Sequence, residues 1–266
     1  MNQPYTFYLF KTCFFLSNLV EIMVKPKDLI APFPKNDPIV TIHDRVWYIP
    51  VRAQLDKFQM PEWNSPTLFP WEGEIHIKYC SGNGRWIAEK AKNHPEKNWV
   101  AVEKRFDRAR KIWAKIQNFS LPNLMVVCGE ALTLSQYYLP SNSITSLYIN
   151  FPDPWPKRRH AKHRLISPLF FQEASRILAL QGSIILVTDD AEYSHLFLEL
   201  VHHSTEFSQT LKKPGFTPPP KGYGSSFFEE LFRSQGKEIR YHHISKKNDL
   251  FRKHSSDDYI NKEMLH

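Results

Sequence analysis

The chain has 266 residues, 42% of them apolar and 14% aromatic, enough to bury one full core with extensions rather than two separate domains. Its 35 Lys and Arg against 27 Asp and Glu give a formal charge of +8 and a pI near 9.3, so nucleic acid is the leading partner and an acidic membrane surface the weaker one. Cys13, Cys80 and Cys128 form a scattered, odd set with no CxxC and no His at ligand spacing; this supports neither a disulfide framework nor a metal site, and fits a reducing cytoplasm.

The opening "YTFYLFKTCFFLSNLVEIM" is rich in apolar residues, but Lys11, Asn18 and Glu21 interrupt it. No charged segment precedes it and no small-residue cleavage site follows, so neither a signal peptide nor a membrane span is predicted. Met23, opening "MVKPKDLIAPF", is a second candidate start that would leave residues 1–22 upstream. Residues 1–70 show little periodicity and are read as an N-terminal extension packed on or near the substrate-facing side. Residues 71–250 form the main domain, and 251–266 a polar tail.

From Glu74 onward strands and helices alternate. "EIHIKY" is a strand, and "RWIAEKAKNH" a helix ended by Pro95. "NWVAVE" is the next strand, followed by a helix whose Phe106, Ala109, Ile112, Trp113 and Ile116 share one face. "NLMVVC" and "SITSLYINF" are the third and fourth strands. Ser167 and Pro168 pair as N-cap and first turn of a helix carrying Phe170, Ala174, Ile177 and Leu178, expected to stop at Gly182. "SIILVT" is a fifth strand running into Asp189 and Asp190. "KKPGFTPPPKGYGSS" is a loop, and "EIRYHHISK" a late antiparallel edge strand whose His residues are read as surface or edge polar groups. Apolar, β-branched strands separated by helices predict an α/β fold: a doubly wound, mostly parallel sheet with an antiparallel edge strand.

In such a sheet ligands bind at the carboxyl ends of the strands, where the strand order reverses. After the first of these strands comes "CSGNG", Cys80 to Gly84, small enough for a turn to approach a ligand closely; a tight strand-to-helix turn needs the same glycines for structural reasons alone. Glu103 ends the next strand, where a carboxylate accepts both hydroxyls of a ribose or simply favours a helix start. Glu130, in "CGEA", either accepts from an adenine amino group or caps a helix. These signals fit a dinucleotide or S-adenosylmethionine equally.

"NFPDPW" distinguishes the two. Pro152 and Pro154 restrict the backbone on both sides of Asp153, holding an acid and Trp155 where a methyl donor and an acceptor base would meet. The competing reading is an Asx-type turn. Beyond it, Lys157, Arg158, Arg159, Lys162 and Arg164 make a basic run suited to phosphates, or merely a solvated loop, with His160 and His163 as minor contacts.

The run "NFPDPWPKRRHAKHR", with "WVAVE", "CGEA", "VTDD" and "SFFEELFRSQG", resembles the bacterial single-chain tRNA (guanine-N7)-methyltransferases over roughly Glu74 to Lys246. The resemblance implies a class I methyltransferase (Rossmann-like) fold, S-adenosyl-L-methionine as cofactor, and the variable-loop guanosine of tRNA, position 46 in tRNA numbering, as acceptor. It implies cofactor-binding roles for Glu103, Glu130 and Asp153, with Asp153 also the catalytic acid. It implies substrate contacts for Lys157 and Asp189, and an RNA-contact loop from Arg159 through His160, Ala161, Lys162 and His163 to Arg164. The family's Thr-x-Phe/Tyr-Glu substrate-binding motif stands here as Ser226, Phe227, Phe228 and Glu229. In one place the sequence departs from the family: an acid expected before the glycines is Lys78, whose ammonium would face the donor's positive charges, and the first glycine is Cys80.

Guanine N7 carries a lone pair and no proton, so the expected chemistry is positioning plus stabilisation of the cationic product, with Asp153 orienting the base and Asp189 and Glu229 helping to hold it. The rivals are a methyltransferase acting on an exocyclic base amine, a catalytically inactive RNA-binding homologue, and a nicotinamide oxidoreductase. The expected partner is tRNA, with no membrane and no obligate protein partner, and the chain acting as monomer or homodimer.

Overall fold

A computed structural model describes residues 23–31, 39–50, 61–62, 65, 68–155 and 158–248, with only the backbone of Arg158 and Ala161. The expectations for residues 1–22, Cys13, Lys157 and the tail 251–266 lie outside the described residues. The hairpin strands β1 (Thr41–His43) and β2 (Val46–Tyr48) precede β3 (Ile75–Tyr79), β4 (Asn98–Glu103), β5 (Leu124–Cys128), β6 (Ile144–Asn150) and β7 (Leu178–Thr188). With β8 (Phe207–Gln209) and β9 (Arg240–Lys246) they form one sheet in the order β1-β2-β5-β4-β3-β6-β7-β9-β8. Strands β2 to β7 pair in parallel, whereas β1, β8 and β9 run antiparallel to their neighbours.

The central strands are apolar on both faces because both are covered. In β4, Trp99 and Ala101 enter one core while Val100 and Val102 enter the other; in β5, Leu124 and Val126 oppose Met125 and Val127. Helices α1 (Arg85–Asn93) and α2 (Phe106–Asn118) cover the first face. In α2, Ala109, Ile112, Trp113 and Ile116 fall at the i, i+3, i+4, i+7 positions of one buried stripe. Helices α3 (Ala131–Tyr138), α4 (Pro168–Ile177) and α5 (Ala191–His202) cover the second. The predicted cap of α4 is present: the Ser167 hydroxyl accepts from Phe170 N at 3.2 Å, with Pro168 in the first turn. A last helix, α6 (Phe227–Ser234), follows the Pro/Gly-rich loop.

Three features differ from the sequence reading. The hairpin β1–β2 extends the sheet beside β5, with Trp47 fully buried; its strands have three residues each, too few for periodicity to register. Helix α4 ends at Ile177 rather than at Gly182, because Leu178 already pairs with Ile144. The next ladder pair joins Ser146 to Ser183, so residues 179–182 bulge out of the strand, and a Cβ on Gly182 would lie 2.8 Å from the Ala179 carbonyl oxygen. Finally, β9 is not outermost: three-residue β8 lies outside it, and His242 is fully buried. Its Nδ1 donates to the Gly215 carbonyl at 3.0 Å and its Nε2 accepts from the Ser194 hydroxyl at 2.9 Å; burial lowers its pKa to about 4.

Candidate active site

Strand β3 is flanked by β4 on one side and β6 on the other, so the strand order reverses there and opens a crevice at the carboxyl ends. Four strands end at a carboxylate that lines this crevice. Glu103 closes β4, Glu130 follows β5, Asp153 follows β6 and Asp189 follows β7, around a cavity of about 770 Å³. That size falls in the range of small-molecule sites, about 300–1,000 Å³.

The turn after β3 is built for close approach. Cys80, Gly82 and Gly84 all have positive φ, and a Cβ on Gly84 would stand 2.5 Å from Ile112 Cγ1, so only glycine lets the turn pack on α2. Glu103 is buried and fastens the turn: one carboxylate oxygen accepts from Gly82 N at 2.8 Å, the other from Arg105 N at 3.0 Å. Each oxygen keeps further acceptor capacity, the provision a ribose diol requires. Glu130 occupies the N-cap position of α3, yet its side chain makes no capping bond and remains exposed along the cavity wall. These acids fit the nucleoside end of S-adenosylmethionine.

Asp153 sits in a turn with Phe151 at φ +50° and Trp155 at φ +44°, left-handed conformations unusual for aromatic residues, bracketing the two prolines. Its carboxylate is exposed, and the one local bond it receives, from Trp155 N, is long at 3.4 Å. The Asx turn is therefore weak and the acid stays open to the cavity. Arg164 holds the turn from below, donating to the carbonyls of Pro154 at 2.8 Å and Trp155 at 3.2 Å. The rings of His163 and His160 pack on Trp155 with centroids 5.2 and 5.6 Å away, so the short 3-10 turn Arg158–His163 folds back onto the acidic turn.

Across the cavity stand Phe228 and Phe232 of α6. The Phe232 ring lies 5.5 Å from that of Phe151, and the Lys237 ammonium sits 4.3 Å over it while pairing with Asp189. Lys104 and Arg105 just before α2 and Arg108 in its first turn, with Lys162 and Arg164, add positive charge to the same lining. Carboxylates at the strand ends amid these cations suit a ligand with a cationic centre and phosphates nearby.

Residues 72–241 match the family model described as "Putative methyltransferase". The tRNA (guanine-N(7)-)-methyltransferase of Chlamydia trachomatis serovar D is 42% identical over 217 residues, covering 81% of this chain and 95% of that one. That of Chlamydia caviae is 41% identical over 225 residues, covering 84% and 99%. This chain belongs to the tRNA (guanine-N7)-methyltransferase family.

Of the positions the methyltransferase likeness assigns to the donor, Glu103, Glu130 and Asp153 meet in the cavity, whereas Lys78 is not part of its lining. Lys78 is buried on the α1 face of β3, its ammonium donating to the Cys80 carbonyl at 3.2 Å and lying 5.9 Å from the Trp86 ring. Burial lowers its pKa to about 8, against the opposing pull of Cys80 and Glu103. The side chain lies on the other side of the sheet from Tyr79, its ammonium beneath the turn it braces rather than in the cavity lining.

The substrate positions divide. Asp189 and Phe228 line the cavity; Ser226, Phe227 and Glu229 do not. The Ser226 hydroxyl caps α6 by accepting from Glu229 N at 3.2 Å, and the buried Glu229 carboxylate pairs with Arg233 at 2.8 Å. Phe227 is exposed. In the basic segment Lys162, His163 and Arg164 reach the cavity, while Arg159 and His160 do not line it. Sequence reasoning missed Lys104, Arg105, Arg108, Phe232 and Lys237; the first three were signalled by the cluster of basic residues directly after Glu103, and the last two by nothing local.

Proposed function

We propose that this protein transfers the methyl group of S-adenosylmethionine to N7 of a guanine in tRNA, the variable-loop guanosine at position 46. The observation that carries the reading is the proline-bracketed Asp153 turn at the end of β6, facing Glu103 and Glu130 across one cavity, in a chain that spans nearly the whole length of its Chlamydia relatives. The work would be done in the cytoplasm; among the described residues no helix is long and apolar enough to cross a membrane.

Glu103 would hold the ribose of the donor and Glu130 the adenine edge, in the cavity that the Asp153 turn also lines. The donor, when bound, supplies an electrophilic methyl group on a positively charged sulfur. The lone pair of guanine N7 would take that methyl group as the donor's sulfur becomes neutral, leaving the positive charge on the purine. No proton leaves N7, so the protein's task is orientation and charge stabilisation. Asp153 would accept from the N–H edge of guanine and sit beside the charge as it develops, with Asp189 as a second acid. Phe228 and Phe232 offer apolar faces for a base drawn out of the RNA stack. The surrounding Lys and Arg would meet phosphates.

The test uses tRNA transcripts carrying 7-deazaguanosine, in which N7 is replaced by a carbon. Labelled methyl transfer is expected to ordinary transcripts and to vanish with the deaza transcripts. Persistent transfer would instead point to an exocyclic amine.

A further inference from the structure

Tyr223 lies between Gly222 and Gly224, whose φ values of +83° and +84° turn the loop so that its ring is buried. The loop is tied to α1 on both sides of the ring: Trp86 Nε1 donates to the Tyr223 carbonyl at 2.8 Å, and Lys90 Nζ to the Gly222 carbonyl at 3.0 Å. The ring centroid stands 5.2 Å from those of Trp86 and Tyr241. At its tip the hydroxyl donates to Oδ1 of Asn150 at 2.7 Å, both groups being buried. Burial raises the Tyr223 pKa well above its ordinary value, so this proton is present at any working pH.

The two ends of that bond lead to opposite walls of the cavity. Asn150 is the last residue of β6, and Phe151, directly after it, opens the turn carrying Asp153; its backbone N–H is anchored on the Val187 carbonyl at 2.8 Å. On the other side, Ser226 caps α6 three residues beyond Tyr223, and α6 supplies Phe228 and Phe232. Tyr223 itself is not part of the cavity lining, so it can act only through what it holds.

We propose that Tyr223 is a positioning residue for methyl transfer: through Asn150 it fixes the Asp153 turn relative to α6. The inference rests on the functional reading above. Misplacing a reacting group slightly lowers the rate without removing a binding contact. Tyr223→Phe removes one oxygen and leaves the aromatic packing in place.

The experiment measures steady-state methylation of a tRNA transcript by the parent, Tyr223→Phe, Asn150→Leu and the double variant, with donor affinity by calorimetry and melting temperature alongside. The expected result is a kcat lowered roughly tenfold or more in Tyr223→Phe, with the KM for tRNA and the donor affinity close to the parent's. The double variant should be no slower than the slower single, because both act on one bond. An unchanged kcat in Tyr223→Phe, a loss confined to KM or donor affinity, or rate losses that multiply in the double variant would each overturn the assignment. A parent that does not methylate tRNA would overturn the functional reading and the inference with it.

Discussion

The Nε of Arg164 lies 2.8 Å from the carbonyl oxygen of Pro154, inside the turn that presents Asp153. A second guanidinium nitrogen reaches the Trp155 carbonyl. A residue that the sequence places in a phosphate-binding run thus acts here on protein backbone, and the run divides into parts that can be told apart by experiment.

Arg164→Ala is expected to lower turnover by about tenfold, since two charge-assisted bonds to the turn are lost, with little change in the salt dependence of tRNA binding. The double variant Arg159→Ala/Lys162→Ala should do the reverse, reducing the slope of log affinity against log salt by about 1 for each phosphate contact removed. Binding titrations across a salt series decide this. Equal slopes in the parent and the double variant would show that these two side chains merely face solvent.

Asp153→Asn should reduce turnover by roughly 10²–10³-fold, the scale of losing one preorganised electrostatic group, and leave the melting temperature unchanged, because the carboxylate is exposed and weakly bonded within the protein. Single-turnover rates measured with circular dichroism melts check both halves. A variant turning over at the parent's rate would remove Asp153 from the chemistry.

Glu103→Ala should behave differently, lowering both donor affinity and stability. The loss in affinity is expected at about 1–3 kcal/mol, from a charged acceptor to the donor's ribose. Stability falls because Gly82 N and Arg105 N lose their partner. Calorimetry with S-adenosylhomocysteine measures the first; unaltered affinity would place the ribose elsewhere.

Lys78 gives a prediction with a defined sign. Its folded pKa, about 8, lies below the ordinary 10.5, so the stability linked to its neutral form is present above 10.5 and is lost as the pH falls through 8. At pH 7 the amine is charged in folded and unfolded states alike and is buried at a desolvation cost. Lys78→Met should therefore be at least as stable as the parent at pH 7, and Lys78→Glu less stable, because a carboxylate cannot donate to the Cys80 carbonyl and would lie near Glu103. Neither should favour S-adenosylmethionine over S-adenosylhomocysteine selectively. A selective gain for the sulfonium ligand in Lys78→Glu would return this residue to the cavity.

Two buried histidines set the response to acid. His76 and His242 have pKa values lowered to about 4, chiefly by burial, against an ordinary 6.5. Between those values the unfolded chain binds more protons, so their contribution is complete above about pH 6.5 and is lost as the pH falls toward 4, by as much as roughly 3 kcal/mol each. Melting temperature should fall over this window. The decline should be shallower in His242→Gln, which can still donate to Gly215 and accept from Ser194 without titrating. Identical slopes would remove His242 as a contributor.

What the sequence reveals follows from the range of the forces involved. The strands from Ile75 to Thr188 and the Ser167 cap are local signals, and they appear where periodicity and capping chemistry predict them. So do the acids that end the strands, since a sheet brings strand ends together whatever lies between them. The cap at Ser226 is equally local, because Ser-x-x-Glu is a helix-start signature. By contrast, Lys237 reaches Asp189 and Tyr223 reaches Asn150 only after the sheet has closed, and no spacing rule foretells such meetings. The orientation of Lys78 likewise depended on which face of β3 each residue takes, which apolar strands buried on both sides do not announce.

The most direct test of the account is positional. An unmodified tRNA transcript is incubated with the protein and isotopically labelled S-adenosylmethionine, then digested and mapped by mass spectrometry, with Asp153→Asn in parallel. The account predicts one labelled 7-methylguanosine, at the variable-loop position, and its near absence with Asp153→Asn. Label on another base or atom, or equal label from the parent and Asp153→Asn, would contradict it.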